Sequence, residues 1–109
     1  MISANELRIG NWVNNALSQP IQVEVENIKW AQDIYPIPLS PEIMFKAGFT
    51  YSDPFWQLKH HNAAGLIEIY DSEEDGQPYI YNWQASIRYV HQLQNLVHAL
   101  SNAELEVNL

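Results

Sequence analysis

The densest run of ionisable side chains is Asp71, Glu73 and Asp75 followed by Gly76. They match the first, third, fifth and sixth positions of a calcium-binding loop, in which oxygen ligands gather around a hard cation. Two departures count against it. The third position prefers Asp or Asn and holds Glu73; the twelfth, where a bidentate Glu belongs, holds Asn82. The flanks also read as strands, so a solvated hairpin turn is the simpler reading. Four histidines raise the question of zinc. His60 and His61 are adjacent on a strand pattern and point to opposite faces. His91 and His98 share a helix face but lie two turns, about 10 Å, apart. No His-x-x-x-His or His-Glu-x-x-His spacing occurs, and there is no cysteine, so the three or four ligands zinc needs are not in view. Glu24 and Glu26, two apart on a strand, lie about 7 Å from each other. Paired carboxylates at such a distance can hydrolyse glycosides, but an outward acidic face is commoner. P-loop, dinucleotide-binding and Ser-elbow motifs are absent. We therefore assign no catalytic, cofactor-binding or metal-ligating residue and expect no enzyme.

Two constellations suit binding instead. Tyr79, Tyr81 and Trp83 line one face of a strand pattern. Such rings can stack on bases or sugars, though a core face beneath a helix explains them more simply. The polar side of the C-terminal helix pattern carries Arg88, His91, Gln92, Asn95, His98 and Asn102, with one formal charge among them. Amides and imidazoles hydrogen-bond without the desolvation cost of ions. Arg88, His91, Gln92, Asn95 and His98 are the candidate partner-binding residues, for another protein or a second copy of the chain.

These residues need a scaffold, and composition allows one. The chain has 109 residues, 47% of them hydrophobic, with four Trp, six Tyr and three Phe. That is single-domain size, and aromatic rings remove about 150–250 Å² each from water on burial. Thirteen carboxylates against five Lys and Arg give a net charge of −8. A nucleic-acid or anionic-membrane partner is disfavoured, because neither finds a basic face. No apolar run reaches the roughly 18 residues of a membrane span. Residues 1–10 show no secretory leader, and the lack of cysteine favours the cytoplasm.

Leu7, Ile9 and Val13 alternate in a first strand over residues 6–13, broken at Gly10-Asn11. Ile21, Val23 and Val25 alternate with Gln22, Glu24 and Glu26, and the phase shifts near Asn27. Pro36-Ile37-Pro38-Leu39 is a stiff extended connector. Ser40 caps a short helix with Pro41 in its first turn, Glu42 at its positive end and Gly48 as its stop. Residues 56–61, 66–70 and 79–83 form three meander strands, with the acidic turn between the last two. Over residues 88–100, Tyr89, Val90, Leu93, Leu96, Val97 and Leu100 make one apolar helical stripe, ended by Ser101-Asn102. Leu105, Val107 and Leu109 alternate as a short last strand.

Helices segregated from strand runs predict an α+β fold with a mainly antiparallel sheet, one short and one long helix. Residues 1–109 form a single domain. Within it, 1–39 is an N-terminal β part, a small SH3-like barrel or meander opening at Gly10-Asn11-Trp12-Val13. Residues 40–109 hold the short helix, the three-stranded meander, the long helix and the last strand.

Three segments also occur together in this order: Asn5-Glu6-Leu7-Arg8-Ile9-Gly10-Asn11-Trp12-Val13, Pro36-Ile37-Pro38-Leu39 with the capped helix ending Gly48-Phe49, and Tyr89-Val90-His91-Gln92-Leu93-Gln94-Asn95-Leu96. With them the chain resembles a family of small uncharacterised proteins encoded by Bacteroidetes-type bacteria, their prophages and mobile elements. Members often carry Thr-Gly-Glu-Glu-Leu after the long helix, where this chain has Ser101-Asn102-Ala103-Glu104-Leu105; the usual glycine turn is absent. The resemblance implies a cytoplasmic, phage-associated setting and no chemistry. The leading expectation is a phage or mobile-element accessory protein that works as a non-enzymatic protein-binding module without a cofactor. The alternatives are an acidic nucleic-acid mimic that inhibits a host DNA-binding enzyme, and a small carboxylate-dependent hydrolase.

Overall fold

The structure is a computed structural model that describes residues 7–24, 34–59, 66–71, 79–81, 85–107 and 109. In chain order its elements are β1 (Trp12–Asn14), β2 (Pro20–Gln22), α1 (Pro41–Lys46), β3 (Thr50–Ser52), β4 (Phe55–Lys59), β5 (Leu66–Asp71), β6 (Tyr79–Tyr81), β7 (Ala85–Ser86) and α2 (Val90–Ser101). The fold is α+β, as the patterning predicts. β1 and β2 form an antiparallel pair, and β3 to β7 form a five-stranded antiparallel sheet in sequence order. His60 and His61, the expected acidic turn from residue 72 to Gly76, Trp83 and the expected phase shift near Asn27 lie outside the described residues.

Alternation on β4 and β5 decides which sheet face is buried. Trp56 pairs with Ile69 and Leu58 with Ile67, and all four are buried. The intervening pairs stand on the other face. There Phe55 meets Tyr70 with ring centroids 5.9 Å apart, and Gln57 Nε2 donates to Glu68 Oε2 at 3.0 Å. The buried face meets Met44 of α1, its C-cap Ala47, and Leu93 and Val97 of α2, with Phe49, Leu105 and Val107 in the same main core. Leu7, Val13, Val23 and Ile34 form a second, smaller core with Ile21 against it. An isolated bridge from Asn14 to Tyr35 adds a third extended piece to the β1–β2 pair.

The short helix ends as its sequence dictates. Ser40 Oγ accepts from the Ile43 N–H at 3.3 Å, Pro41 occupies the first turn and Gly48 takes φ +93°, a backbone conformation that glycine adopts without penalty. The connector is more than a spacer. Leu39 N donates to Arg88 O and Ile37 O accepts from Val90 N, both at 2.9 Å, so the extended chain satisfies a donor that α2 leaves open at its N-terminus. Gln92 Oε1 accepts from the N–H groups of Arg88 and Tyr89 at 2.9 and 3.2 Å. At the other end Asn102 is left-handed at φ 56° and its N–H bonds His98 O at 2.8 Å. Asn tolerates that region best after glycine, which explains a sharp helix stop without one.

Four expectations are corrected. The first strand is only β1, because residues 9 and 10 form a turn, and Ile9 is 59% exposed. Tyr89 is the N-cap of α2 and not part of its stripe. Leu100, at the far end of that stripe, is exposed. Residues 104–107 join no ladder among the described residues, although Leu105 and Val107 are buried and Glu104 and Glu106 exposed. Alternation reports which way side chains face, and an extended segment can satisfy it without pairing. Conversely β3 and β7, of three and two residues, are too short to leave a pattern.

Tyr79 is buried opposite Asp71 in the β5–β6 register. Burial, and then the Asp71 carboxylate, push its phenol above the ordinary value of about 10. The folded chain therefore holds this proton more tightly than the unfolded chain. The stabilisation is fully present below about pH 10 and is lost as pH rises through the folded value. Between pH ~8 and ~11 the urea midpoint of the wild type is expected to fall further than that of Tyr79→Phe. Equal falls would remove Tyr79 from the alkaline response.

Candidate functional site

The row Val90, Gln94, Val97 and Ser101, spaced 4-3-4, faces inward along α2, and all four are buried. Gln94 is thus a polar side chain in an apolar row, 2% exposed, and it must be answered by partners. Its Oε1 accepts from Trp12 N at 2.7 Å and its Nε2 donates to Gly10 O at 3.2 Å. Gly10 closes the turn that leads into β1 and Trp12 is the first residue of that strand, so one amide answers both. The side-chain amide thereby does what a peptide group of a neighbouring strand would do. Ser101 Oγ returns its proton to Val97 O at 2.7 Å.

Arg8 extends this contact into a polar clasp between the two cores. Its Nε donates to Asn95 Oδ1 at 2.8 Å, its Nη2 to Gln94 O at 3.1 Å, and its Nη1 to Glu104 Oε1 at 2.6 Å. Asn11 Nδ2 shares Asn95 Oδ1 at 3.0 Å, while Asn11 Oδ1 accepts from Arg8 N at 2.6 Å. Trp12 spans the same junction, packing on the main core with Nε1 donating to Val107 O at 2.8 Å. A planar guanidinium serving three acceptors has the geometry that Arg provides and Lys does not. The first and last of the three motif segments therefore grip each other.

The five candidate partner-binding residues do not form one wet helix face. Arg88 is exposed. Gln92 is half-buried and spends its oxygen on the helix start. Asn95 is half-buried in the clasp. His91 is 2% exposed, its ring parallel to that of Tyr89 at 6.0 Å. His98 is half-buried. The N-terminal β part docks beside them and takes up Asn95, while the Gln92 oxygen serves the start of α2. Three of the five still converge. His91, Gln92 and Asn95 line a hollow of about 380 Å³ with Ser86, Ile87 and Leu96. None of these lining residues is a carboxylate, and the hollow sets two side-chain amides and an imidazole beside the apolar Ile87 and Leu96.

Among the described residues, no three His, Asp or Glu side chains gather as a metal ligand set. Nor is any helix long and apolar enough to cross a membrane. Sequence reasoning missed Arg8, Asn11, Gln94 and Glu104 as site builders. The one available signal was Gln94 at an apolar spacing. No family model matches the chain, and neither a curated protein nor a solved structure matches it, so its function is read from the geometry above.

Proposed function

We propose that the protein is a cytoplasmic, non-enzymatic accessory protein of a phage or mobile element that works by binding another protein or a second copy of itself. The observation that carries this reading is the hollow on α2, whose lining joins amide side chains to Ile87 and Leu96 and holds no carboxylate. Specific protein interfaces bury such mixed surfaces, depleted of charge at their centre. A long side chain added at the rim tests the hollow without touching the clasp. Ser86 is exposed and lines it, so Ser86→Arg should fill it and leave the thermal midpoint unchanged. Binding to the native partner, or to a second copy followed by sedimentation, is expected to weaken at least ~10-fold, or about 1.4 kcal/mol. Undiminished association by a folded Ser86→Arg protein would exclude the hollow. Charged substitutions at His91 and Asn95 are unsuitable, because both residues are packed inside the fold and the outcome would report unfolding.

A further inference from the structure

Residues 104–107 are extended, with Leu105 and Val107 turned into the main core. The N–H and C=O groups of Leu105 have no hydrogen-bond partner among the described residues, and those of Glu106 point to the opposite edge of the extended segment. Leu105 is only 5% exposed, and peptide groups left unpaired at that depth are rare and costly. Beside this segment runs a groove of about 550 Å³, between residues 103–106 on one side and Lys46, Gly48 and Leu58 on the other. A strand-patterned segment with open peptide groups, next to a groove, is a template for another strand.

We propose that this groove takes an extended, basic segment of a partner protein as an added β-strand paired with the Leu105 edge of residues 104–107, where Val107 O already accepts from Trp12 Nε1. Charge selects the occupant. Glu104, Glu106 and Lys46 all line the groove, and Lys46 already lies 3.5 Å from Glu42. Glu104 is shared with Arg8, whereas Glu106 has no counter-ion among the described residues. At this groove a basic segment is favoured over a second copy of the chain, which carries −8 overall. In a paired strand the residues opposite Glu104 and Glu106 stand on one outward face, about 4.5–5.5 Å away, where Lys or Arg is favoured and a like charge is not. The residue between them turns inward beside Leu105. The recognised pattern is therefore basic–apolar–basic, with main-chain bonds supplying affinity and the alternate side chains specificity.

The test uses the full chain and a capped, fluorescent Lys-Val-Lys-Val-Lys peptide, followed by anisotropy, with Glu-Val-Glu-Val-Glu as the comparison. Saturable binding of the basic peptide alone is expected. Glu106→Lys, at an exposed position, should keep the fold, weaken that binding at least ~10-fold and shift preference toward the acidic peptide. Amide exchange at Leu105 should slow at least ~10-fold on saturation. Absence of saturation, indifference to Glu106→Lys, or unchanged Leu105 exchange would overturn the proposal, the last result leaving water as the peptide groups' partner. This surface is separate from the α2 hollow. Ser86→Arg should leave peptide binding intact, so either reading can fail without the other.

Discussion

Gln94→Met is expected to destabilise the protein by about 2–3 kcal/mol, although it conserves side-chain length and apolar contact. The loss is electrostatic in origin. Gln94 Oε1 is the acceptor for Trp12 N at the start of β1, and Nε2 is a donor to Gly10 O. Gly10 O keeps a second donor in Gln22 Nε2 at 3.2 Å, so Trp12 N is the group left orphaned. Orphaned buried donors cost about 1–3 kcal/mol each, more than the net gain of an ordinary hydrogen bond. Urea unfolding followed by tryptophan fluorescence measures the difference. A change below about 0.5 kcal/mol would show that water reaches Trp12 N and that the amide is dispensable.

Gln94→Glu sharpens the same point. One carboxylate oxygen can still accept from Trp12 N, but the other would face the Gly10 carbonyl. Protonation restores a donor there, and desolvation raises the carboxyl above the ordinary value near 4.3. A folded-state value above the unfolded one gives stability that is present at low pH and lost as pH rises through the folded value. The deficit of Gln94→Glu against wild type should be smallest near pH ~4.5 and larger at pH ~8.

Arg8→Ala is expected to cost about 2–4 kcal/mol, because one side chain serves three acceptors on α2 and beyond it. The contribution is not a simple ion pair. Glu104 is 52% exposed in its side chain, and exposed pairs are worth about 0–1 kcal/mol. Glu104→Gln should therefore remove little. Arg8→Lys should remove most of what Arg8→Ala removes, since an ammonium cannot hold Asn95 Oδ1, Gln94 O and the carboxylate together. A double-mutant cycle with Asn95→Ala separates the contributions, and coupling between Arg8 and Asn95 should exceed coupling between Arg8 and Glu104. If Glu104→Gln alone reproduced the Arg8→Ala loss, the clasp would reduce to a surface ion pair.

Local features of the fold were legible because each has a local cause. Ser40, Pro41 and Gly48 bracket α1 by capping chemistry and a positive φ, and Trp56, Leu58, Ile67 and Ile69 show strand alternation with one buried face. Val90, Leu93 and Val97 mark the inward line of α2 by helical spacing. The clasp was not legible, because its partners across the two cores lie 82 to 96 positions apart and a polar residue carries no mark of what will answer it. Gln94 and Ser101 sat at buried spacings, but His91, Gln92 and Asn95 looked equally polar, and only docking of the N-terminal part separates spent amides from available ones. The hollow was half legible: His91, Gln92 and Asn95 were named from the helix pattern, whereas Ser86 and Ile87 follow from where β7 delivers the chain.

The clasp also imposes an order of assembly. Arg8 and Glu104 are 96 positions apart, and closing so large a ring costs little more than closing half of it. Time is the constraint. As the chain emerges from a ribosome N-terminus first, residues 8–12 appear more than 80 positions ahead of the partners that answer them. Until Gln94, Asn95 and Glu104 have followed, only solvent can answer the guanidinium and the peptide groups around it.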